Sequence, residues 1–241
     1  MAAAPLAHAR ALAADPRLII PLDVATVDEA RALVERLDEA VSFYKIGLQL
    51  FATGGMALAA ELKAQGKQVF LDWKLHDIGA TVEKAAAAIA DAGCGDFLTV
   101  HAEPQVLAAA VRGRGSSDLK LLGVTVLTSL SPADIADIGY ALSIEQLVER
   151  RIRQTLDAGA DGVIASPHEA ALARRIGGPD FLVVTPGVRP AWSGKDDQAR
   201  AATPAEALRN GASHLVCGRP ITAADDPHAA ALAVVEEMAG A

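Results

Sequence analysis

The chain has 241 residues, of which 51% are hydrophobic, 22% charged and only 4% aromatic, enough apolar material for a sizeable core in one large domain. Its formal charge of −8, from 30 acidic and 22 basic side chains, offers nucleic acid phosphates no general attraction, and the densest basic block is only Glu149-Arg150-Arg151-Ile152-Arg153. No uncharged apolar run reaches the roughly 18 residues of a membrane span, and the opening MAAAPLAHARALAADPR lacks both a basic start and a sustained apolar stretch. The expectation is a cytoplasmic protein with no membrane and no nucleic acid partner.

Residues 1–16 are expected to form an N-terminal extension or helix at the head of a single domain spanning 1–241. Short β-branched or aliphatic runs then alternate with longer Ala/Leu/Glu/Arg-rich stretches of helical period. The runs are Leu18 to Leu22, Phe43 to Ile46, Val69 to Leu71, Phe97 to Val100, Leu121 to Leu127, Gly162 to Ala165, Phe181 to Val184 and Ser213 to Val216. Between them lie amphipathic segments, such as the one whose apolar face is read as Ile144, Leu147, Val148, Ile152 and Leu156. Gly66, Gly93, Gly159 and Gly211 stand where left-handed caps would close helices. Cys94 and Cys217 lack CxxC spacing and read as buried small hydrophobes.

Eight strand–helix units without a linker fit a single (β/α)8 barrel of the TIM type, with a doubly wound open sheet as the alternative. Closure is favoured because most runs end, on their C-terminal side, in a residue able to do chemistry: Asp23, Lys45, Asp72 and Lys74, His101, Thr128, Ser166, Pro186 and Gly218-Arg219. That rim is where barrel enzymes keep their active sites. No GxGxxG follows the first strand and no GxxxxGK[ST] occurs, so a dinucleotide or P-loop site is not supported.

The stretch Val69-Phe-Leu-Asp-Trp-Lys-Leu-His-Asp-Ile-Gly-Ala-Thr81 carries the most information. Strand alternation places Phe70, Asp72 and Lys74 on one face and Leu71 and Trp73 on the other. Lys45, ending the neighbouring strand, comes beside Asp72, and with Asp77 an alternating Lys–Asp–Lys–Asp array results, able to keep its members charged. A plain salt-bridge cluster would use the same residues. His76 and His101 suit packing or hydrogen bonding better than metal ligation, because no metal-binding spacing accompanies them.

The ordered set of Asp23, Tyr44-Lys-Ile-Gly47, Leu71-Asp-Trp-Lys-Leu-His-Asp-Ile78 with Thr81, Leu127-Thr-Ser129, Thr185-Pro-Gly-Val-Arg-Pro190, Asp196-Asp-Gln198 with Arg200, and Gly218-Arg-Pro-Ile-Thr222 resembles the orotidine 5'-phosphate decarboxylase family over nearly the whole chain. It departs from the usual family pattern at Gly79-Ala80, commonly Pro-Asn, and at Trp73, commonly Leu. The resemblance implies decarboxylation of orotidine 5'-phosphate to uridine 5'-phosphate with no metal and no organic cofactor. Lys74 would stabilise and protonate the C6 carbanion, Asp72 would hold Lys74, and Asp23 and Lys45 would hold ribose hydroxyls. Thr128 or Ser129 would read the pyrimidine edge. In a homodimer with shared sites, Asp77, Ile78 and Thr81 would reach across the interface.

The phosphate end rests also on barrel anatomy, since the loops after strands seven and eight are where barrels hold phosphate. Pro186 and Gly218 stand where those loops begin and Arg219 is the expected bidentate cation; the resemblance further implies that Gln198 would reach in from the closed loop and that Arg189, in the matching Gly-Val-Arg-Pro motif, would have a phosphate or loop-anchoring role. Two other functions stay open on the residues: an Mg2+-dependent phosphosugar decarboxylase or synthase on the same barrel, and a non-catalytic nucleotide-phosphate-binding barrel.

Overall fold

The structure, a computed structural model, describes residues 14–193 and 202–241. Most of the expected N-terminal extension lies outside them, as do Gln198 and Arg200. Eight parallel strands close into a barrel in sequence order: β1 (Leu18–Pro21), β2 (Phe43–Ile46), β3 (Gln68–Leu75), β4 (Phe97–His101), β5 (Lys120–Val124), β6 (Gly162–Ile164), β7 (Leu182–Pro186) and β8 (His214–Val216). The open-sheet alternative is thereby excluded, since β1 pairs with both β2 and β8.

The strands read as near-continuous apolar runs because both of their faces are covered. Ile19, Phe43, Phe70, Phe97, Leu122, Val184 and Val216 point into the barrel and form its interior cluster. Their neighbours Leu18, Ile20, Tyr44, Leu71, Leu98 and Leu121 face outward into the layer shared with the helices. Burying a side chain of this size removes about 1.5–3 kcal/mol of unfavourable apolar hydration each, so this alternation fixes the register.

Helix termini follow local rules. Ser143 caps the helix Ile144–Asp157 and Thr203 caps Pro204–Arg209, each in a reciprocal capping box with the residue at the third helical position. Gly93 ends the helix Gly79–Ala92 at φ 61°, and Gly66, Gly159 and Gly211 also take positive φ, as their positions implied. The expected apolar face of Ile144–Asp157 needs one correction. Leu156 is exposed, and Thr155 is buried in its stead. At 100° per residue Leu156 falls roughly 100° from the centre of the buried face. Thr155 instead packs where β5 carries Gly123, at which any Cβ would collide with the Thr155 side chain.

Strand ends also shift. β5 stops at Val124 rather than Leu127, which is exposed, while β3 runs on to Leu75. Among the described residues no helix is long and apolar enough to cross a membrane.

Candidate active site

The C-terminal rim of the barrel encloses a cavity of about 200 Å3 lined by Lys45, Phe70, Asp72, Lys74, Val124, Val126, Leu127, Thr128, Ile164, Ala165, Ser166, Pro186 and Val216. Its floor is the apolar interior cluster and its wall on the β2–β3 side is charged. Lys45, only 8% exposed, lies 3.3 Å from Asp23 on β1's exit and 3.3 Å from Asp72 Oδ2. Asp72 Oδ1 takes the Lys74 amine at 2.7 Å.

Asp23 follows β1, Lys45 lies on β2 and Asp72 and Lys74 on β3, so the parallel register of three successive strands brings the chain Asp23–Lys45–Asp72–Lys74 to one side of the rim. Burial pushes the Asp72 carboxyl towards neutrality, but Lys45 and Lys74, with hydrogen bonds from Lys74 and Thr99, overcome it and hold the pKa below the ordinary value. Asp72 is thus a fixed anion beside an ammonium. Gly47 serves this packing, because a Cβ there would stand 3.1 Å from Asp23 Oδ1 and 3.4 Å from Lys45 Nζ.

β3 is irregular where it carries this chemistry. Phe70 and Leu71 pair with Phe97 and Leu98, then the register slips and Leu75 pairs with Val100. Lys74 sits in the slip with φ 49°, a conformation uncommon for a side chain larger than glycine. Trp73 faces outward as expected, against Phe51 with ring centres 4.7 Å apart.

Asp77 does not join the array within this chain, contrary to the alternating pattern read from spacing. It lies past the end of β3, exposed, with Oδ1 accepting the Ile78 N–H at 2.6 Å. The reason is that β3 ends at Leu75 and the chain turns outward into the helix starting at Gly79, so Gly79-Ala80 begins that helix. Ile78, 73% exposed, and Thr81 stand on the same open edge.

Thr128 lines the cavity and Ser129 is exposed next to it. Pro186 lines the opposite wall, and Gly218 and Arg219 open the short helix Arg219–Thr222 after β8. Arg189 is buried in the stem of the loop after β7, away from the cavity lining, with its N–H on the Ala202 carbonyl. His76 and His101 stack with ring centres 4.7 Å apart, and His76 Nε2 lies 3.7 Å from Glu103, itself held by Arg151 at 3.2 Å. Burial lowers the His101 pKa. Among the described residues no group of three or more His, Cys, Asp or Glu side chains is arranged to hold a metal ion.

Two hydroxyls had no role assigned from the sequence: Ser166, read only as a rim residue, and Thr99, not singled out at all. Ser166 is 1% exposed, lines the cavity, and its Oγ has no partner among the described residues. Thr99 is fully buried against Asp72 and Lys74. Counting by twos from the inward Ile164 reaches Ser166, which explains why this rim residue faces the cavity.

Residues 16–234 match the orotidine 5'-phosphate decarboxylase / HUMPS family. The chain belongs to this family. Proteins named orotidine 5'-phosphate decarboxylase from Caulobacter sp. (strain K31) and Caulobacter vibrioides (strain NA1000 / CB15N) are 72% identical over 229 residues and 68% identical over 233. Each comparison covers 95% of this chain and 100% of the relative. The crystal structure of orotidine 5'-phosphate decarboxylase from Lactobacillus acidophilus matches with a TM-score of 0.81 at 37% identity, covering 93% of this chain and 99% of that one. The family resemblance drawn from the rim residues and the closed barrel therefore agree.

Proposed function

We propose that this chain decarboxylates orotidine 5'-phosphate to uridine 5'-phosphate in the cytoplasm, as a homodimer. The observation that carries the assignment is the ion chain Lys45–Asp72–Lys74 set into the wall of the rim cavity. Breaking the bond from C6 to the carboxylate leaves its electron pair in an sp2 orbital that the ring delocalises poorly. Catalysis of such a step asks for preorganised charge, within a total barrier reduction of roughly 8–23 kcal/mol for enzymes generally.

The Lys74 ammonium stabilises that electron pair and gives it a proton, so CO2 leaves and a C6–H bond forms while the amine is left neutral to regain its proton from water. Asp72, ionised and adjacent, holds the Lys74 amine in place before the step. Lys45 ties Asp72 to Asp23, and Asp23 and Lys45 hold ribose hydroxyls. The cavity suits the pyrimidine and its carboxylate, with the apolar wall of Val124, Val126 and Ile164 beside the departing CO2. Thr128 or Ser129 reads the ring edge.

The phosphate extends along the rim to Pro186, Gly218 and Arg219, with Gln198 and Arg189 serving the loop after β7. Contacts this far from C6 act by closing the site and excluding water, so they raise kcat as well as affinity. The partner subunit's Asp77 completes the charge array, with the partner's Ile78 and the partner's Thr81 beside it, which accounts for the exposed edge these positions form. Purified protein given orotidine 5'-phosphate without added metal is expected to turn it over, followed by loss of the orotate-ring absorbance. Tight binding of uridine 5'-phosphate with no turnover would mark a non-catalytic barrel.

A further inference from the structure

At the register slip in β3, where Lys74 takes a left-handed φ, the Thr99 hydroxyl on β4 meets the strand. It accepts the Lys74 N–H at 3.0 Å and donates its own proton to Asp72 Oδ1 at 3.0 Å, and that same oxygen takes the Lys74 amine at 2.7 Å. The result is a closed ring running from the Lys74 main chain through Thr99 and Asp72 to the Lys74 amine. Asp72 Oδ2 remains for Lys45.

Thr99 is fully buried, and as a β-branched residue it has few rotamers, so its hydroxyl direction is set by the strand. A left-handed lysine persists only where its surroundings over-determine it. Here one hydroxyl restrains both the backbone that carries the amine and the carboxylate that orients it.

We propose that Thr99 is a positioning residue for decarboxylation, clamping Lys74 in its left-handed conformation so that the amine is aimed into the cavity. This rests on Lys74 being the proton donor. Thr99→Val keeps the shape and deletes the hydroxyl; Thr99→Ser keeps the hydroxyl and deletes a methyl.

The expected result for Thr99→Val is a kcat lower by about 10–100-fold, the scale of a misplaced catalytic group, with uridine 5'-phosphate affinity within about threefold of wild type because that ligand needs no proton from Lys74. Thr99→Ser is expected to return kcat to within about threefold of wild type. Equal losses in the two variants, or a loss confined to KM and product affinity, would overturn the clamp. If Thr99→Val does not fold, Thr99→Ser against Thr99→Ala makes the same comparison. A crystal structure of the hydroxyl-deleted variant in which Lys74 keeps φ near 49° would overturn it independently of turnover, whereas a wild-type protein that does not consume orotidine 5'-phosphate would sink the proposed function instead.

Discussion

The floor and the mouth of this barrel bury titratable groups only a few residues apart along the strands and treat them in opposite ways. At the floor, His214 packs edge-on against Phe97 and Phe43, ring centres 5.1 and 6.0 Å away, and burial drives its pKa down to about 4 against the pull of Asp15. At the mouth, Asp72 is partly buried, yet two ammonium groups and a hydroxyl hold it ionised. Burial alone therefore does not decide charge; the partners within hydrogen-bond reach do. The floor contributes stability through apolar contact. The mouth keeps charges that well-packed apolar residues could replace at little or no loss of stability, so their presence points to chemistry.

The sharpest way to break that contrast is Lys74→Ala. Asp72 keeps Lys45, so the fold is expected to survive with a similar melting temperature, while kcat falls by about 10^4-fold or more, combining a lost general acid with lost electrostatic stabilisation. A variant that loses stability but keeps turnover would make the mouth a structural cluster like the floor. Next in size is a test of the open edge. Mixing inactive Lys74→Ala and Asp77→Ala proteins with subunit exchange is expected to restore about a quarter of native sites, since half of randomly formed dimers are hybrids and each hybrid has one intact site. No recovery, with exchange verified by mass spectrometry, would place Asp77 in the site of its own chain.

The same contrast explains what was legible in the sequence. The floor and the strands were read from apolar runs, and Lys45, Asp72 and Lys74 from the rule that rim residues follow those runs. Spacing brought Asp77 near the array and the family resemblance sent it across a dimer interface; within its own chain it stands beyond Leu75, where β3 ends. Thr99 was missed because its role depends on a register slip between β3 and β4, which neither strand's sequence displays. Leu127 was counted as strand, whereas β5 ends at Val124 and the Thr125 hydroxyl turns to the Ile164 carbonyl at 2.8 Å. Arg189 was read as serving phosphate or anchoring the loop, and the motif alone does not choose between them; its side chain is buried in the loop stem.

A smaller effect sharpens the floor side. His214 is neutral in the fold below its ordinary titration range, so between about pH 6.5 and pH 4 the unfolded chain binds a proton that the folded chain refuses, and stability falls as pH falls through that window. The size is on the order of 3 kcal/mol at the acid end. Asp72 acts in a different window: its lowered pKa adds stability above its ordinary value near 3.8 and is lost only as pH drops below that. Urea unfolding of wild type and His214→Phe at pH 7 and pH 4.5 separates the two. The wild-type protein is expected to lose more stability than the variant between these pH values, and equal losses would mean that His214 is not held neutral.

The smallest expected effect is none at all, and it probes whether the charges at the mouth suffice by themselves. Enediolate chemistry on a phosphosugar needs a divalent cation to polarise adjacent oxygens. Decarboxylation at C6 of orotidine 5'-phosphate instead develops charge on carbon, which an ammonium can meet directly and quench with its proton. EDTA treatment followed by exhaustive dialysis is therefore expected to leave kcat/KM for orotidine 5'-phosphate unchanged. A loss of activity restored by Mg2+ would mean that Asp72 and its neighbours serve a metal during turnover, and the anion at the mouth would then be kept for a cation other than Lys74.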